Sequence, residues 1–304
     1  VREADHGVQR AEIGRGCGRR GQSRLMLEGQ FTPGAQPQFE QITPNFLRRR
    51  RMLQFVSQLG LLTGLKICLD AADGASLPAG STKWLDTSGN GYDFFRGADG
   101  TATTDDPTIN GTTNGRSSSE YFSFDGGDFF RYDTTNEAWM QNLHKDSAKL
   151  SYFGYNYFAN VATASGIFGD NVNSPGNIGC RFTLTASGVL GFNVSKTGAS
   201  FALDFNSTLS PSANAWHAIG LSIDEAATTG FMFLDGTVQT FTSTYTTPSA
   251  SNASQTFEIA ARGSGDGKWA NGGRMATFTM WEGAVLSQTD MANLFAITRG
   301  RYGI

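Results

Sequence analysis

The chain contains 304 residues, enough for one large β domain or two average domains with a sizeable core. Charged residues make up only 17% of it, whereas it has 38 glycines and 23 phenylalanines. This composition excludes a coiled coil, a helical bundle and a disordered chain, and it predicts short strands joined by tight turns.

Charge is distributed unevenly along the sequence. Residues 1–66 hold 11 Lys/Arg against 5 Asp/Glu, whereas residues 67–304 hold 13 against 22. We therefore divide the chain into a basic N-terminal arm, 1–66, and an acidic body, 67–304, which we expect to contact different partners. Three dispersed cysteines argue against a zinc site or a disulfide framework, and no apolar run is long enough for a membrane span. The three dispersed thiols fit synthesis in a reducing compartment, and no secretory signal is visible.

The arm contains one predicted helix. Residues 31–47 include three prolines and predict an extended segment, and residues 45–62 then predict a short helix capped by Asn45. A block of four arginines beside a partial apolar face favours docking on an acidic protein surface, with a solvated helix face as the alternative. Nucleic acid is disfavoured because no aromatic residues interleave the block. The docking residues predicted from this pattern are Phe46, Arg48, Arg49, Arg50, Arg51, Phe55 and Leu59.

From residue 65 onward the pattern is that of short β-strands. Two hairpins are predicted, one around Ser187-Gly188 and one around Asp235-Gly236. A closing helix is predicted after the capping box that begins at Ser287. The fold class predicted is therefore all-β: an antiparallel two-sheet jelly-roll sandwich with a short C-terminal helix and an extended N-terminal arm. The predicted strands are 65–71, 91–96, 120–125, 128–133, 149–158, 165–169, 178–185, 189–195, 201–206, 216–223, 230–235, 237–243, 256–262 and 274–282.

Three segments resemble the laminin-G-like, concanavalin A-like jelly-roll superfamily. They are WLDTSGNG at 84–91 with YFSFDGGDF at 121–129, the tryptophan strand from 216 running to the Asp-Gly turn at 235–236, and the strand 272–282 with its Leu-Ser turn. The resemblance covers residues 67–304. It implies a two-sheet sandwich that often binds glycans or proteins and sometimes calcium.

An arm followed by a jelly roll also resembles accessory virion proteins of tailed phages and phage-like particles. That resemblance implies a decoration or fibre protein of the virion, without enzymatic activity, which docks through residues 1–66 on capsid or tail proteins. It also implies a homo-oligomer that displays a jelly roll able to bind host surface glycans. The alternatives are a secreted or cell-surface carbohydrate-binding module, which would be extracellular, and a divergent polysaccharide hydrolase or lyase.

One turn is a candidate calcium site. Asp86, Ser88 and Asn90 occupy alternate positions, so their oxygens could converge on a hard cation together with backbone carbonyls. The alternative is an Asx turn in which Asp86 accepts a hydrogen bond from the backbone near Ser88. Both interpretations stay open from the sequence.

A glycine-rich loop is the candidate glycan site. Trp269 lies in the segment 263–273, which is expected to expose its ring for stacking on a sugar, while Asp266, Lys268 and Asn271 bond hydroxyls. The alternative is a tryptophan that folds back over the edge of the sandwich. The other four tryptophans, Trp216 among them, are expected in core or rim packing.

Catalytic patterns are not found. No pair of acidic residues has the spacing of a retaining glycosidase, because adjacent acids on a strand point to opposite faces. No nucleophile elbow occurs, and His217 is expected to be packed or solvent-facing on its strand. The chain is therefore predicted to be a binding protein and not an enzyme.

Overall fold

The computed structural model describes residues 51–110, 120–172, 177–196 and 200–304. These residues form sixteen strands and two α-helices, α1 (Met52–Gln58) and α2 (Gln288–Thr298), with 3-10 turns at Met140–Asn142 and Arg299–Arg301. The strands are β1 (Leu65–Asp70), β2 (Lys83–Trp84), β3 (Phe94–Arg96), β4 (Thr108–Ile109), β5 (Phe122–Ser123), β6 (Phe130–Tyr132), β7 (Lys149–Tyr157), β8 (Ser165–Gly169), β9 (Gly179–Leu184), β10 (Leu190–Ser195), β11 (Phe201–Asn206), β12 (Trp216–Asp224), β13 (Thr229–Leu234), β14 (Thr237–Phe241), β15 (Glu258–Ile259) and β16 (Arg274–Glu282).

The strands form two antiparallel sheets, as the sequence predicted. Sheet 1 has the order β14-β13-β12-β7-β16-β5-β4, and β1 pairs with the half of β16 that β5 leaves open. Sheet 2 has the order β11-β10-β9-β8-β15-β6-β3-β2. The non-consecutive neighbours, such as β7 beside β16, are those of a jelly roll and not of a simple meander.

An aromatic core fills the space between the sheets. Trp84 lies 5.0 Å from Phe122 and 4.9 Å from Phe130, measured between ring centroids. At the far edge the stacked rings of Phe205 and Phe241, 4.1 Å apart, close the sandwich. The tilted and edge-on geometries are those that ring quadrupoles favour, so the many phenylalanines of the sequence serve mainly to pack the two sheets.

The outer face of sheet 1 is covered by both helices. Met52 and Val56 of α1 and Met291 and Leu294 of α2 are fully buried in a second apolar cluster with residues of β1, β7, β12, β13 and β16. Among the described residues no helix has the length and apolarity needed to cross a membrane.

A buried ion pair joins the two helical segments. The Arg301 guanidinium donates two hydrogen bonds to the Asp70 carboxylate, at 2.9 and 2.8 Å, and both side chains are 1% exposed. Asp70 Oδ2 also accepts a hydrogen bond from the backbone N–H of Met52 at 2.8 Å. The carboxylate thus fixes the first residue of α1 and the segment after α2 at one point.

Local turn chemistry follows the sequence closely. Asp235 and Gly236 have φ of 49° and 96°, as a type I′ hairpin turn requires, and they join β13 to β14. Ser287 Oγ accepts a hydrogen bond from Asp290 N–H, and the Asp290 carboxylate accepts one from Ser287 N–H, so the predicted capping box is confirmed.

The helix of the arm differs from its prediction. Within the described residues it spans Met52–Gln58, shorter than 45–62, and its buried residues pack on the sandwich itself. β1 begins at Leu65, before the boundary at 66/67, and pairs along β16. Residues 51–66 are therefore part of the β-sandwich body, because α1 buries its apolar face there.

Candidate functional site

A cluster of aromatic side chains lies at one end of the outer face of sheet 1. Trp216, Tyr157 and Arg274 stand side by side on β12, β7 and β16, since Tyr157 is opposite both Trp216 and Arg274 in the strand register. Tyr121, just before β5, completes the group. We call these four partly exposed side chains, Tyr121, Tyr157, Trp216 and Arg274, the aromatic patch.

The patch is held together by ring contacts. The Trp216 ring centroid lies 5.6 Å from that of Tyr121 and 5.7 Å from that of Tyr157, both close to edge-on. The Arg274 guanidinium carbon lies 4.4 Å from the Tyr157 ring centroid and 4.9 Å from that of Tyr121. Arg274 is therefore held in place by cation–π contacts with two rings.

The buried Tyr302 ring packs against Trp216 of the patch. This ring stacks on that of buried Tyr155 at 4.1 Å and lies 5.2 Å from Trp216. Burial raises the pKa of the Tyr302 hydroxyl, so the ring is neutral at every physiological pH. Because Tyr302 follows the buried Arg301, the ion pair with Asp70 fixes the residue on which Trp216 rests.

The polar groups of the patch are available to a ligand. Within the described residues, neither the Trp216 indole N–H, nor the Tyr121 and Tyr157 hydroxyls, nor the Arg274 guanidinium forms a hydrogen bond or an ion pair with the protein. Partly exposed rings bordered by such groups can stack on an apolar sugar face and bond its hydroxyls at the same time.

The structure corrects the expected exposure of Trp269. Its side chain is 1% exposed, and its indole N–H donates to the backbone carbonyl of Gly166 at 2.6 Å. The ring lies 5.0 Å from Phe124 and 4.9 Å from Phe158, so it is the folded-back alternative that the structure contains. Burial of the large apolar area of the indole favours this position over an exposed one.

The other residues of the glycine-rich loop are not brought together as a site. The Asp266 carboxylate forms an ion pair with Arg262 at 2.9 Å, and Lys268 Nζ lies 4.9 Å from the Phe129 ring centroid. Asn271 is exposed. Because the Trp269 ring is buried, the described residues of this loop offer no exposed aromatic ring on which a sugar could stack.

Asp86, Ser88 and Asn90 form a hydrogen-bonded turn. Asp86 Oδ1 accepts the N–H groups of Ser88 at 2.9 Å and Cys68 at 2.8 Å, and Oδ2 accepts the Ser88 hydroxyl. The Asn90 amide donates to the backbone carbonyls of Leu65 and Lys66. This is the Asx-turn alternative. Both carboxylate oxygens are occupied by donors, and the described residues contain no group of three or more His, Cys, Asp or Glu arranged for a metal ion.

The predicted docking residues of the arm have different outcomes. Phe46, Arg48, Arg49 and Arg50 lie outside the described residues. Phe55 is fully buried, and Leu59 is partly buried against the second apolar cluster. The expectation that Phe55 is available to a partner is wrong, because α1 turns that face toward its own sandwich. Arg51 is partly exposed just before α1.

Ser212, His217 and Asp235 lie in hydrogen-bond contact that the sequence did not indicate. His217 Nδ1 is 2.6 Å from Asp235 Oδ2, and Nε2 is 3.2 Å from Ser212 Oγ. However, Nε2 is also 3.0 Å from the backbone carbonyl oxygen of Ser212. Nε2 therefore lies closer to a backbone carbonyl oxygen than to the serine hydroxyl, whereas a general base needs an Nε2 that faces the serine hydroxyl alone. These contacts join β12 to the loop that precedes it and to the turn after β13.

The outer face of sheet 2 carries a row of polar residues. Glu258 Oε1 accepts two hydrogen bonds from Arg131, and Oε2 accepts the N–H groups of Gly263 and Gly265. Burial raises the pKa of Glu258, but both oxygens are occupied. Asp204, in the same row, lies four strands away, roughly 19 Å at the usual strand spacing. This separation is far beyond that of a glycosidase acid pair.

Solved structures with a similar fold include a sugar-bound domain. Domain 4 of AbnA, a GH43 extracellular arabinanase from Geobacillus stearothermophilus, in complex with arabinotriose, is similar with a TM-score of 0.51 and 13% identity. The match covers 76% of this chain and 97% of that domain. At this identity the likeness shows the fold alone, a two-sheet β-sandwich.

Two larger proteins are similar over part of their length. Trypanosoma rangeli sialidase with the inhibitor DANA matches 77% of this chain with a TM-score of 0.49 and 13% identity. The binding domain of botulinum neurotoxin DC in complex with SialylT matches 77% with a TM-score of 0.49 and 11% identity. The chain spans 33% of the sialidase and 52% of the toxin chain. No protein-family model and no curated protein sequence matches the chain.

The aromatic patch was not predicted from the sequence. Its members come from four separate segments, and only the register of β12, β7 and β16 brings three of them side by side. One signal was present: Tyr157 has the same strand parity as Phe153 and Tyr155, so all three point to the outer face of sheet 1.

Proposed function

We propose that this protein is a glycan-binding β-sandwich domain whose binding surface is the aromatic patch. The observation that carries the proposal is a set of three partly exposed rings, two of them in contact with Arg274, whose N–H and hydroxyl groups have no hydrogen-bond partner among the described residues. A sugar ring has an apolar C–H face and a rim of hydroxyls, and the patch offers a surface for each. The two-sheet fold shared with the arabinotriose-bound domain supports the proposal at the level of fold.

The patch is pre-organised for this role. Trp216 rests on Tyr302, and Arg274 lies against Tyr121 and Tyr157, so few side-chain rotations are lost when a ligand binds. Losing the stacking ring should weaken binding about tenfold, which corresponds to about 1.4 kcal/mol.

The test is binding of the full chain to a panel of immobilised neutral and acidic oligosaccharides, followed by titration of the best ligand. Trp216→Ala and Tyr157→Ala should each reduce affinity about tenfold or more, and Trp216→Phe should keep part of it. The matched control is Phe95→Ala, a partly exposed aromatic beside Lys83 on sheet 2, which should bind like wild type. A thermal melt of each variant separates lost binding from lost folding. Binding to no member of the panel, or equal binding by wild type and the two folded alanine variants, would refute the proposal.

We further propose that the domain binds without hydrolysing. Two observations support this. Both oxygens of the Glu258 carboxylate accept hydrogen bonds from the protein, and His217 Nε2 lies closer to the Ser212 carbonyl oxygen than to the Ser212 hydroxyl. Incubation with the bound polysaccharide should release no reducing ends. A Ser212-dependent release would instead favour the hydrolase alternative.

The virion setting is a further part of the proposal. It rests on the basic charge of residues 1–66 beside an acidic body, which suits attachment to an acidic capsid or tail surface. A secreted carbohydrate-binding module remains the alternative setting. Mass spectrometry of purified particles from the source distinguishes the two.

A further inference from the structure

Arg274 differs from Arg301 and Arg96, which also contact aromatic rings. Arg301 lies beside Tyr302 but is paired with the Asp70 carboxylate, and Arg96 lies over Phe122 but donates three hydrogen bonds to backbone carbonyls. Arg274 has neither kind of partner within the described part of the chain. Its charge is therefore held on the surface by rings alone.

The two ring contacts fix the position of the guanidinium but do not use its N–H donors. The Arg274 guanidinium carbon lies 4.4 and 4.9 Å from two ring centroids, and the N–H groups, which lie in the guanidinium plane, have no hydrogen-bond partner within the described residues. Those groups form a planar fork that matches two oxygens of a carboxylate or a sulfate. A neutral sugar hydroxyl has one oxygen and accepts from only one arm of that fork.

We propose that the aromatic patch selects acidic saccharides, with Arg274 pairing to a carboxylate or sulfate while the rings stack on the sugar. This inference rests on the proposed function and names the ligand class for the same surface. The indole N–H of Trp216 and the hydroxyls of Tyr121 and Tyr157 serve neighbouring hydroxyls of the ligand.

The net charge of the body does not oppose this selection strongly. Residues 67–304 carry more acidic than basic groups, but exposed charges are screened beyond about 8 Å at physiological salt. The electrostatic energy of a ligand carboxylate in contact with Arg274 therefore comes mainly from that one ion pair. The contact also gains from partial desolvation against the rings.

The experiment compares polymers that differ only in charge. Polygalacturonate is compared with its methyl ester for the carboxylate, and dextran sulfate with dextran for the sulfate, at physiological salt. We expect wild type to prefer the charged member of at least one pair about tenfold, and the pair that shows the preference identifies the acidic group.

Arg274→Gln should abolish the preference, and Arg274→Lys should keep only part of it because the ammonium lacks the planar fork. The matched control is Arg299→Gln, an exposed arginine over the Phe295 ring, which should leave the preference unchanged. Equal binding of charged and neutral members, or a preference that survives in folded Arg274→Gln, would overturn the inference. If neutral glycans bind through Trp216 in that case, the proposed function stands. If nothing in the panel or the pairs binds, both fail.

Discussion

Asp170, directly after β8, is a buried carboxyl group that forms no ion pair with any described residue. It is fully buried, and Oδ1 accepts the N–H of Cys180 at 2.7 Å, while Oδ2 has no hydrogen bond within the described residues. Burial raises its pKa to about 8. At neutral pH the folded protein therefore holds this group protonated, whereas the unfolded chain ionises it above about pH 4.

This difference predicts a stability that falls as pH rises. Between about pH 4 and the folded pKa of about 8, the folded state binds a proton that the unfolded state has lost, so unfolding becomes easier by about 1.4 kcal/mol per pH unit. Asp170→Asn removes this dependence and keeps the acceptor for Cys180. We expect the melting temperature of the variant, relative to wild type, to increase from pH 5 to pH 8.

The control for this measurement is Asp146→Asn, which changes an exposed acid. Its difference from wild type should be the same at both pH values. A pH-independent difference for Asp170→Asn would show that the group is ionised in the folded protein.

At the scale of elements, α1 stabilises the sandwich. Met52, Phe55 and Val56 are fully buried, and the N–H of Met52 bonds Asp70. Burying each side chain contributes about 1.5–3 kcal/mol. The sequence alone assigns independent folding to 67–304, but we expect residues 67–304 to melt well below residues 51–304, and 51–304 to melt like the full chain.

Urea unfolding of the three chains measures this directly. The expected loss between 51–304 and 67–304 is at least about 3 kcal/mol, because three buried side chains and the first residues of β1 are removed. Equal midpoints for these two chains would mean that α1 contributes little and that the boundary at 66/67 is adequate.

The sequence predicted those elements whose signal is local. The β13–β14 hairpin and the α2 cap each depend on neighbouring residues, Asp235-Gly236 and Ser287 to Asp290. β2 and β4 were missed because two-residue strands carry no alternation. The patch was missed for another reason: Trp216 and Arg274 meet through Tyr157, and strand register is a property of the folded sheet.

At the scale of the whole molecule, the Asp70–Arg301 pair connects parts of the chain that are distant in sequence. Removing one partner leaves a buried charge unpaired, which typically costs about 3–5 kcal/mol. We expect Arg301→Met to destabilise the protein by that amount and also to weaken glycan binding, because Tyr302 supports Trp216.

The double variant Asp70→Asn with Arg301→Met tests the origin of the loss. It should be more stable than Arg301→Met alone, since the unpaired carboxylate is gone. Single and double variants of equal stability would show that the Asp70 side chain does not destabilise the protein when Arg301 is missing.

The central position of β16 in sheet 1 determines the order in which the sheet can fold during synthesis. β1 finds its partner only in residues 277–281, and β7 needs the same strand on its other edge. The strands β1 to β15 are therefore synthesised before sheet 1 can close, and until then the apolar side chains of β1 and β7 lack their final neighbours. The aromatic patch, which needs Arg274 and Tyr302, is completed only after β1 to β16 have been synthesised.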